Sequence, residues 1–260
     1  MAHDKAPTLS GRDIYSRIYL NELEVEAKWL DIGARRKVDS IQLLLERNGV
    51  RPVTLLELGC GTGAVIRECQ RRGLAERYVG MDYSEEAIAY LLGHSTGISA
   101  VAADVTVPDA LAGLSADVVI LSHVLEHLED PTSVLRALNG LRCSHAVLEV
   151  PLEDLPIGRI KSWVRTRVPN HAGHVQFYSG GSFEALVRDC GLVILDRWRY
   201  TPVLDAADMA FLRAKSGHGW LRHLQTWITA NFLPRLLGAA WSRSYYAHYT
   251  VLCRPGPDPA

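Results

Sequence analysis

Short apolar runs rich in β-branched residues recur near 53–58, 77–81, 98–103, 117–122, 144–150, 193–199 and 246–253. Each has the length of a buried strand. Between them, apolar residues at helical spacing mark helices near 63–72, 84–92, 131–141 and 180–190. Strand and helix in alternation predict an α/β fold, a mostly parallel sheet covered on both faces. Ahead of it, residues 11–30 place Ile14, Ile18, Leu23, Val25 and Trp29 at imperfect helical spacing. Residues 34–47 set Val38, Ile41, Leu44 and Leu45 on one face, and Asn48-Gly49 reads as the stop. Two separate N-terminal helices are therefore expected.

Two stretches break the alternation. Residues 151–176 are too long for a plain strand-to-helix connection and carry Ile157, Ile160, Trp163 and Val164 among Arg159, Lys161, Arg165 and Arg167. A nucleic-acid face would need more aromatics, so nucleic acid is not the expected partner. Residues 201–245 hold Trp220, Leu221, Leu224, Trp227, Ile228, Phe232, Leu236 and Leu237, interrupted by Arg222, His223, Gln225, Pro234 and Arg235. That is an amphipathic helix broken at Pro234, not a membrane span. It suits a lid, an apolar acceptor pocket or peripheral contact with a membrane surface. The expected organisation is one domain over 1–260. Cap helices occupy 1–50, the core 51–200, cap insertions 151–178 and 201–240, and the last strand 245–254, before a loose Pro-rich tail.

The first strand runs into Gly59-Cys60-Gly61-Thr62-Gly63, where alternating glycines allow positive φ and close approach of a ligand before a helix N-terminus. Gly59-x-Gly61-x-x-Ala64 also satisfies a dinucleotide fingerprint, so a nicotinamide oxidoreductase is one reading. Asp82 lies 19 residues after Gly63, where an acid that accepts two ribose hydroxyls is expected, although before Ser84-Glu85-Glu86 it also reads as a helix cap. Glu57, Asp82, Asp104 and His123 all fall at or just beyond predicted carboxyl ends of strands, the edge where such sheets bind ligands.

Together, Glu57-Leu58-Gly59-Cys60-Gly61-Thr62-Gly63, Val79-Gly80-Met81-Asp82-Tyr83-Ser84, Ala102-Ala103-Asp104-Val105 and the run from Asp117 to Pro131 resemble the ordered motifs of class I S-adenosylmethionine-dependent methyltransferases, over roughly residues 32–200. The resemblance implies a Rossmann-like seven-stranded sheet and S-adenosylmethionine as cofactor. It implies a loop of Gly59, Cys60, Gly61 and Gly63 around the methionine part, and Glu57 near its amino group. Asp82 would take the ribose and Asp104 the adenine amine, with the backbone of Val105 beside it. Met81 and Tyr83 would flank the ring, and Ser122 would close the edge at the fourth strand. N-terminal helices of such proteins often close over the cofactor, so Arg36 would pair with the methionine carboxylate or else face solvent.

Methyl transfer needs an aligned acceptor and removal of its proton. Histidine suits that near neutral pH, and His123, His127 and His174 lie in loops expected to border the methyl. His123-x-x-Glu126-His127 with His174 is similar to the Glu-x-x-Glu-His plus distant His pattern of metal-dependent ubiquinone-pathway and small-RNA O-methyltransferases, with His123 in place of the first Glu. Whether a divalent metal is used is left open, as is a purely structural role of the run. The expected reaction is O-methylation of a small-molecule hydroxyl. N- or C-methylation and a non-catalytic cofactor-binding role are the alternatives.

Composition changes this picture little. Of 260 residues, 48% are hydrophobic and 22% charged, an ordinary globular balance. Five scattered cysteines with no C-x-x-C pair argue for a reducing compartment, and the polar start Met1-Ala2-His3-Asp4-Lys5 is no signal peptide, so a cytoplasmic location is expected. The net charge of −1 hides 15 basic and 23 acidic side chains in residues 1–156 against 13 and 6 in residues 157–260. A basic C-terminal part favours an anionic or partly apolar acceptor, or a membrane surface.

Overall fold

Strand β1 (Thr54–Leu58) is buried along its whole length in the interior of a seven-stranded sheet ordered β3-β2-β1-β4-β5-β7-β6. The other strands are β2 (Arg77–Asp82), β3 (Ile98–Ala102), β4 (Val118–Ser122), β5 (His145–Leu152), β6 (Leu192–Tyr200) and β7 (Ala247–Pro255). The computed structural model describes residues 11–107, 109–156, 173–216 and 220–256. The pairings from β3 to β5 are parallel, and β7 runs antiparallel between β5 and β6.

Alternation along each central strand explains the continuous apolar runs. Leu55, Val118, Ile120 and Val147 pack on one face with Val38, Ile41 and Leu44. Leu56, Val119, Leu121 and Leu148 pack on the other with Val134, Leu138 and Phe183. Both faces are covered, so neither set of alternate positions is polar. Local chemistry sets the helix starts. Ser84 caps α3 (Glu85–Gly93) by accepting from Ala87 N–H, and Asp130 caps α4 (Pro131–Gly140) by accepting from Thr132 and Ser133 N–H. Ser179 caps the helix Gly180–Asp189 in a capping box with Ser182.

Two expectations need correction. The N-terminal segment, α1 (Gly11–Arg47), is two helices as expected, but they meet at a kink at Glu22 (φ −136°, ψ 25°) rather than near 31–33. Next to the bend, Asn21 donates its side-chain amide to the carbonyl of Arg17, four residues back, in competition with the backbone ladder. In the C-terminal cap, the helix Trp220–Trp227 continues through a π turn (Ile228–Phe232) into Leu233–Leu237, so Pro234 does not break it. The wider turn ahead of the proline accommodates its missing donor. The break falls at Gly238 (φ 49°), before Ala239–Ser244. The expected amphipathic stretch at 157–164 lies outside the described residues.

Candidate functional site

The turn from β1 into α2 (Ala64–Arg71) folds back on β2. Gly59 and Cys60 N–H groups both donate to the Met81 carbonyl, at 2.7 and 2.9 Å. Gly59, Gly61 and Gly63 have φ of 72°, 52° and 79°, the left-handed region where a side chain is strained. Asp82 binds the turn from below. Its Oδ2 accepts from Gly61 N–H at 2.7 Å and its Oδ1 from Ser84 N–H at 3.0 Å. Burial pushes its carboxyl up, against the pull of those N–H groups. Each oxygen keeps a lone pair, enough for a pair of adjacent hydroxyls.

Glu57 sits under the same turn, buried, and accepts from Ile66 N–H at 2.9 Å. Burial raises its pKa to about 8, although Lys37 acts in the opposite direction. Asp104, beyond β3, accepts from the N–H and hydroxyl of Thr106 and from Arg12 Nη1 at 2.5 Å. Burial alone would raise its pKa; Thr106 and Arg12 outweigh it and hold the carboxyl below its usual value. The Arg12 guanidinium also stands 5.0 Å from the centre of the Tyr83 ring. A purine entering between Tyr83 and Asp104 would therefore meet Arg12. The Ser122 hydroxyl is buried and has no hydrogen-bond partner among the described residues.

These groups open on one cavity of about 1390 Å³. Gly59, Cys60, Gly61, Asp82, Tyr83, Asp104, Val105 and Ser122 form one end of its lining, with Glu57 behind the glycine turn. The inward face of α1 (Tyr15, Tyr19, Trp29, Lys37) covers it, and Thr201, Trp241, Tyr246 and His248 form the far end. The acids, the glycine turn and the orphaned Ser122 hydroxyl fit a nucleoside carrying an amino-acid group. Three expected residues lie elsewhere. Arg36 is exposed and paired with Asp39 at 3.3 Å, and its neighbour Lys37 faces the cavity instead, one helical step around α1. The Met81 side chain is buried in the core and offers only its carbonyl to the glycine turn. Gly63 does not line the cavity; it is the N-cap of α2.

The histidines divide into two groups. His123 follows β4 in a left-handed conformation (φ 58°), held by its backbone N–H to the Glu149 carbonyl at 2.9 Å. Its ring turns toward β5 and β7. Nε2 lies 3.2 Å from His248 Nδ1 and 3.5 Å from Glu149 Oε1, and Nδ1 lies 3.2 Å from Glu126 Oε1. His127 instead meets His174 and Tyr15 edge-on, at 4.9 and 5.1 Å between ring centres. Its Nδ1 is 3.2 Å from the Gly173 carbonyl, which can only accept, so Nδ1 carries the proton and Nε2 is the basic atom. Burial depresses the His127 pKa despite Glu126. His174 is raised: burial opposes this, but Glu153 at 2.8 Å outweighs it. Burial would raise Glu126; the imidazoles of His123, His127 and His174 outweigh it and set the carboxyl at about 2.

His123, Glu126, His127 and His174 thus do not form the single four-donor set that the sequence pattern suggests. Among the described residues, Glu126, His127 and His174 bring ligand atoms within 4.8 Å of one another, and His123 joins Glu149 and His248 in a second such group. The sequence reading passed over Glu149, His248, Tyr15 and Lys37. The signal for Glu149 was present: it is a lone carboxylate inside the apolar strand Ala146-Val147-Leu148-Glu149-Val150.

Residues 33–196 match a family model described as a methyltransferase domain. The ubiquinone biosynthesis O-methyltransferase of Pseudomonas paraeruginosa is 31% identical over 98 residues, 37% of this chain and 42% of that protein. Its counterpart in Pseudomonas syringae pv. syringae is 32% identical over 94 residues, 35% and 40% of the two chains. The matches thus span less than half the length of these curated relatives. Among solved structures, the [4+2]-cyclase SpnF superposes with a TM-score of 0.62 at 16% identity, covering 97% of this chain and 99% of that one. Magnesium protoporphyrin IX methyltransferase from Synechocystis, with bound S-adenosylhomocysteine, gives 0.56 at 18% identity over 95% and 94%. At such identities these likenesses establish the fold alone. Among the described residues no helix is long and apolar enough to cross a membrane.

Proposed function

Because this chain belongs to the S-adenosylmethionine-dependent methyltransferases, we propose that it methylates a hydroxyl of a small, partly apolar acceptor, with His127 as proton acceptor. The observation that carries this reading is the imidazole of His127, half-buried, depressed in pKa and with Nε2 as its basic atom, in the cavity shared with Asp82 and Asp104. Family membership also decides for S-adenosylmethionine over a nicotinamide. The cofactor supplies a sulfonium-activated methyl. The chain would hold it by the ribose at Asp82, by the adenine at Asp104 and by the ammonium near Glu57, with Arg12 giving way to the purine. The acceptor's hydroxyl proton would pass to Nε2 of His127 as its oxygen bonds to the methyl carbon and the carbon–sulfur bond breaks. His174, its pKa raised by Glu153 against the effect of burial, would face the acceptor's negative charge. The far end of the cavity, with Trp241, Tyr246 and Leu204, suits an aromatic or otherwise apolar body. Trp220, Leu221, Leu224 and Leu236 are exposed on the cap, which suits contact with a membrane surface carrying such an acceptor.

A second reading gives Glu126, His127 and His174 to a divalent ion, favoured by their convergence. An ion there would polarise the acceptor oxygen. The test of the main reading is transfer of labelled methyl into small molecules of a cell extract, divided into aqueous, organic and protein fractions, with and without chelator. Label in the organic fraction that survives chelation is expected. Label in protein would sink the acceptor class, and loss on chelation would transfer the role of His127 to the ion.

Glu57 gives an independent prediction. With a pKa of about 8 in the free protein, it is mostly protonated at pH 7. A cationic ammonium beside it favours the carboxylate, so binding of S-adenosylhomocysteine at pH 7 is expected to release a proton. Affinity should rise with pH toward about 8 and then level. Calorimetry in two buffers of different ionisation enthalpy reads this directly. Binding with no proton release would remove Glu57 from the ammonium.

A further inference from the structure

Nε2 of His123, Nδ1 of His248 and Oε1 of Glu149 form a triangle with edges of 3.0, 3.2 and 3.5 Å. Zinc–ligand distances near 2.0–2.1 Å place neighbouring ligands of a tetrahedral ion about 3.3 Å apart. The three atoms come from the loop after β4, from β5 and from β7, and β7 pairs Val150 with Tyr249 and Glu149 with Thr250. The sheet itself therefore fixes two of the three donors.

The atoms behind the triangle are arranged as an outer shell. The other nitrogen of His123 lies 3.2 Å from the buried Glu126 carboxylate. The other nitrogen of His248 lies 3.1 Å from the Tyr246 hydroxyl. Behind Glu149, its Oε2 accepts from Ser40 Oγ at 3.5 Å, while the Tyr200 hydroxyl touches the triangle itself, donating to Glu149 Oε1 at 2.7 Å and lying 3.1 Å from His248 Nδ1. Metal-ligating histidines characteristically donate their second N–H to a carboxylate or similar group, which fixes tautomer and ring orientation. Charge points the same way. Glu126 and Glu149 are both buried, and among the described residues neither is paired with a lysine or arginine. A doubly charged ion would balance them.

We propose that His123, His248 and Glu149 form a zinc-type divalent-metal site whose open position faces the cavity, which His123 and His248 line. Two imidazoles and one carboxylate with a free fourth position are a donor set of catalytic rather than structural zinc. The ion would take an oxygen or nitrogen atom of the acceptor. The site uses neither His127 nor His174, and the ion would hold an acceptor atom remote from the reacting hydroxyl, so chelation would weaken acceptor binding without abolishing transfer; zinc uptake is read without methyl transfer and so stands or falls separately from the function proposed above.

The test is titration of the chelator-treated full chain with zinc and with cobalt(II), without S-adenosylmethionine. One tight equivalent is expected, and cobalt should give the intense visible absorption of a four-coordinate site. Glu149→Gln and His248→Ala are each expected to weaken zinc by on the order of 100-fold or more, and Tyr246→Phe by roughly 10-fold through the outer shell. His174→Ala should leave both affinity and spectrum unchanged. Should the Glu149 and His248 variants fail to fold, the native spectrum and Tyr246→Phe still decide. No uptake by the native chain, or uptake abolished by His174→Ala and kept in Tyr246→Phe, overturns the site: the triangle is then a hydrogen-bonded cluster only.

Discussion

Replacing His127 with asparagine is expected to lower kcat by roughly 100- to 10,000-fold, the usual worth of a positioned general base. Asparagine keeps a donor for the Gly173 carbonyl and has no basic nitrogen, so the loop stays tied while the chemistry is lost. S-adenosylhomocysteine binding should be unchanged, because Asp82, Glu57 and the glycine turn are untouched. The pH profile gives a second readout. The working form of His127 is neutral, and its pKa lies below the ordinary 6.5. The kcat of the native enzyme should therefore be level above that value and fall only as pH drops through the depressed pKa. A loss of less than about tenfold in kcat, or a profile still rising well above 6.5, would assign the proton to another group.

The second large effect is on stability. Gly63 takes φ 79° where α2 begins, and a Cβ there would run into Leu91 of α3, which is fully buried. The left-handed conformation costs an alanine about 1–2 kcal/mol. Forcing extra volume against a packed leucine adds about 1–3 kcal/mol. Gly63→Ala is thus expected to destabilise by roughly 2–5 kcal/mol, or a Tm drop of roughly 5–20 °C for a chain of this size. Leu91→Ala in the same chain should recover part of it by vacating the clash, at the cost of its own cavity. A thermal melt of the single variant within about 2 °C of the native chain would show that the turn relaxes and that the glycine is not sterically required.

How the chain is laid out along its length was legible. All seven strands fall within two residues of the apolar runs that mark them, and the continuous apolar character of the central β1, β4 and β5 follows from burial on both faces of a parallel sheet. Ser84 and Asp130 cap the helices they precede, and the glycine turn has the positive φ values its spacing required. Asp82, Asp104 and Ser122 lie on one cavity because the carboxyl ends of β2, β3 and β4 meet at one edge of the sheet.

Other features were decided only in three dimensions. Whether Arg36 or Lys37 reaches the cavity depends on rotation about α1, which a single step of sequence does not reveal when the amphipathic pattern is imperfect. The bend at Glu22 falls beside a side-chain bond of Asn21 that competes with the helix ladder, a local event no hydrophobic pattern records. Most of all, His123 and His127, four residues apart, serve different groups. A left-handed backbone at His123 turns its ring toward β7, and β7, inserted antiparallel beside β5, brings His248 within 3.0 Å of a carboxylate 99 residues away. Local periodicity determines which residues are strand, helix and turn. The pairing of distant strands, an interaction between residues with no sequence proximity, determines which polar side chains share a site.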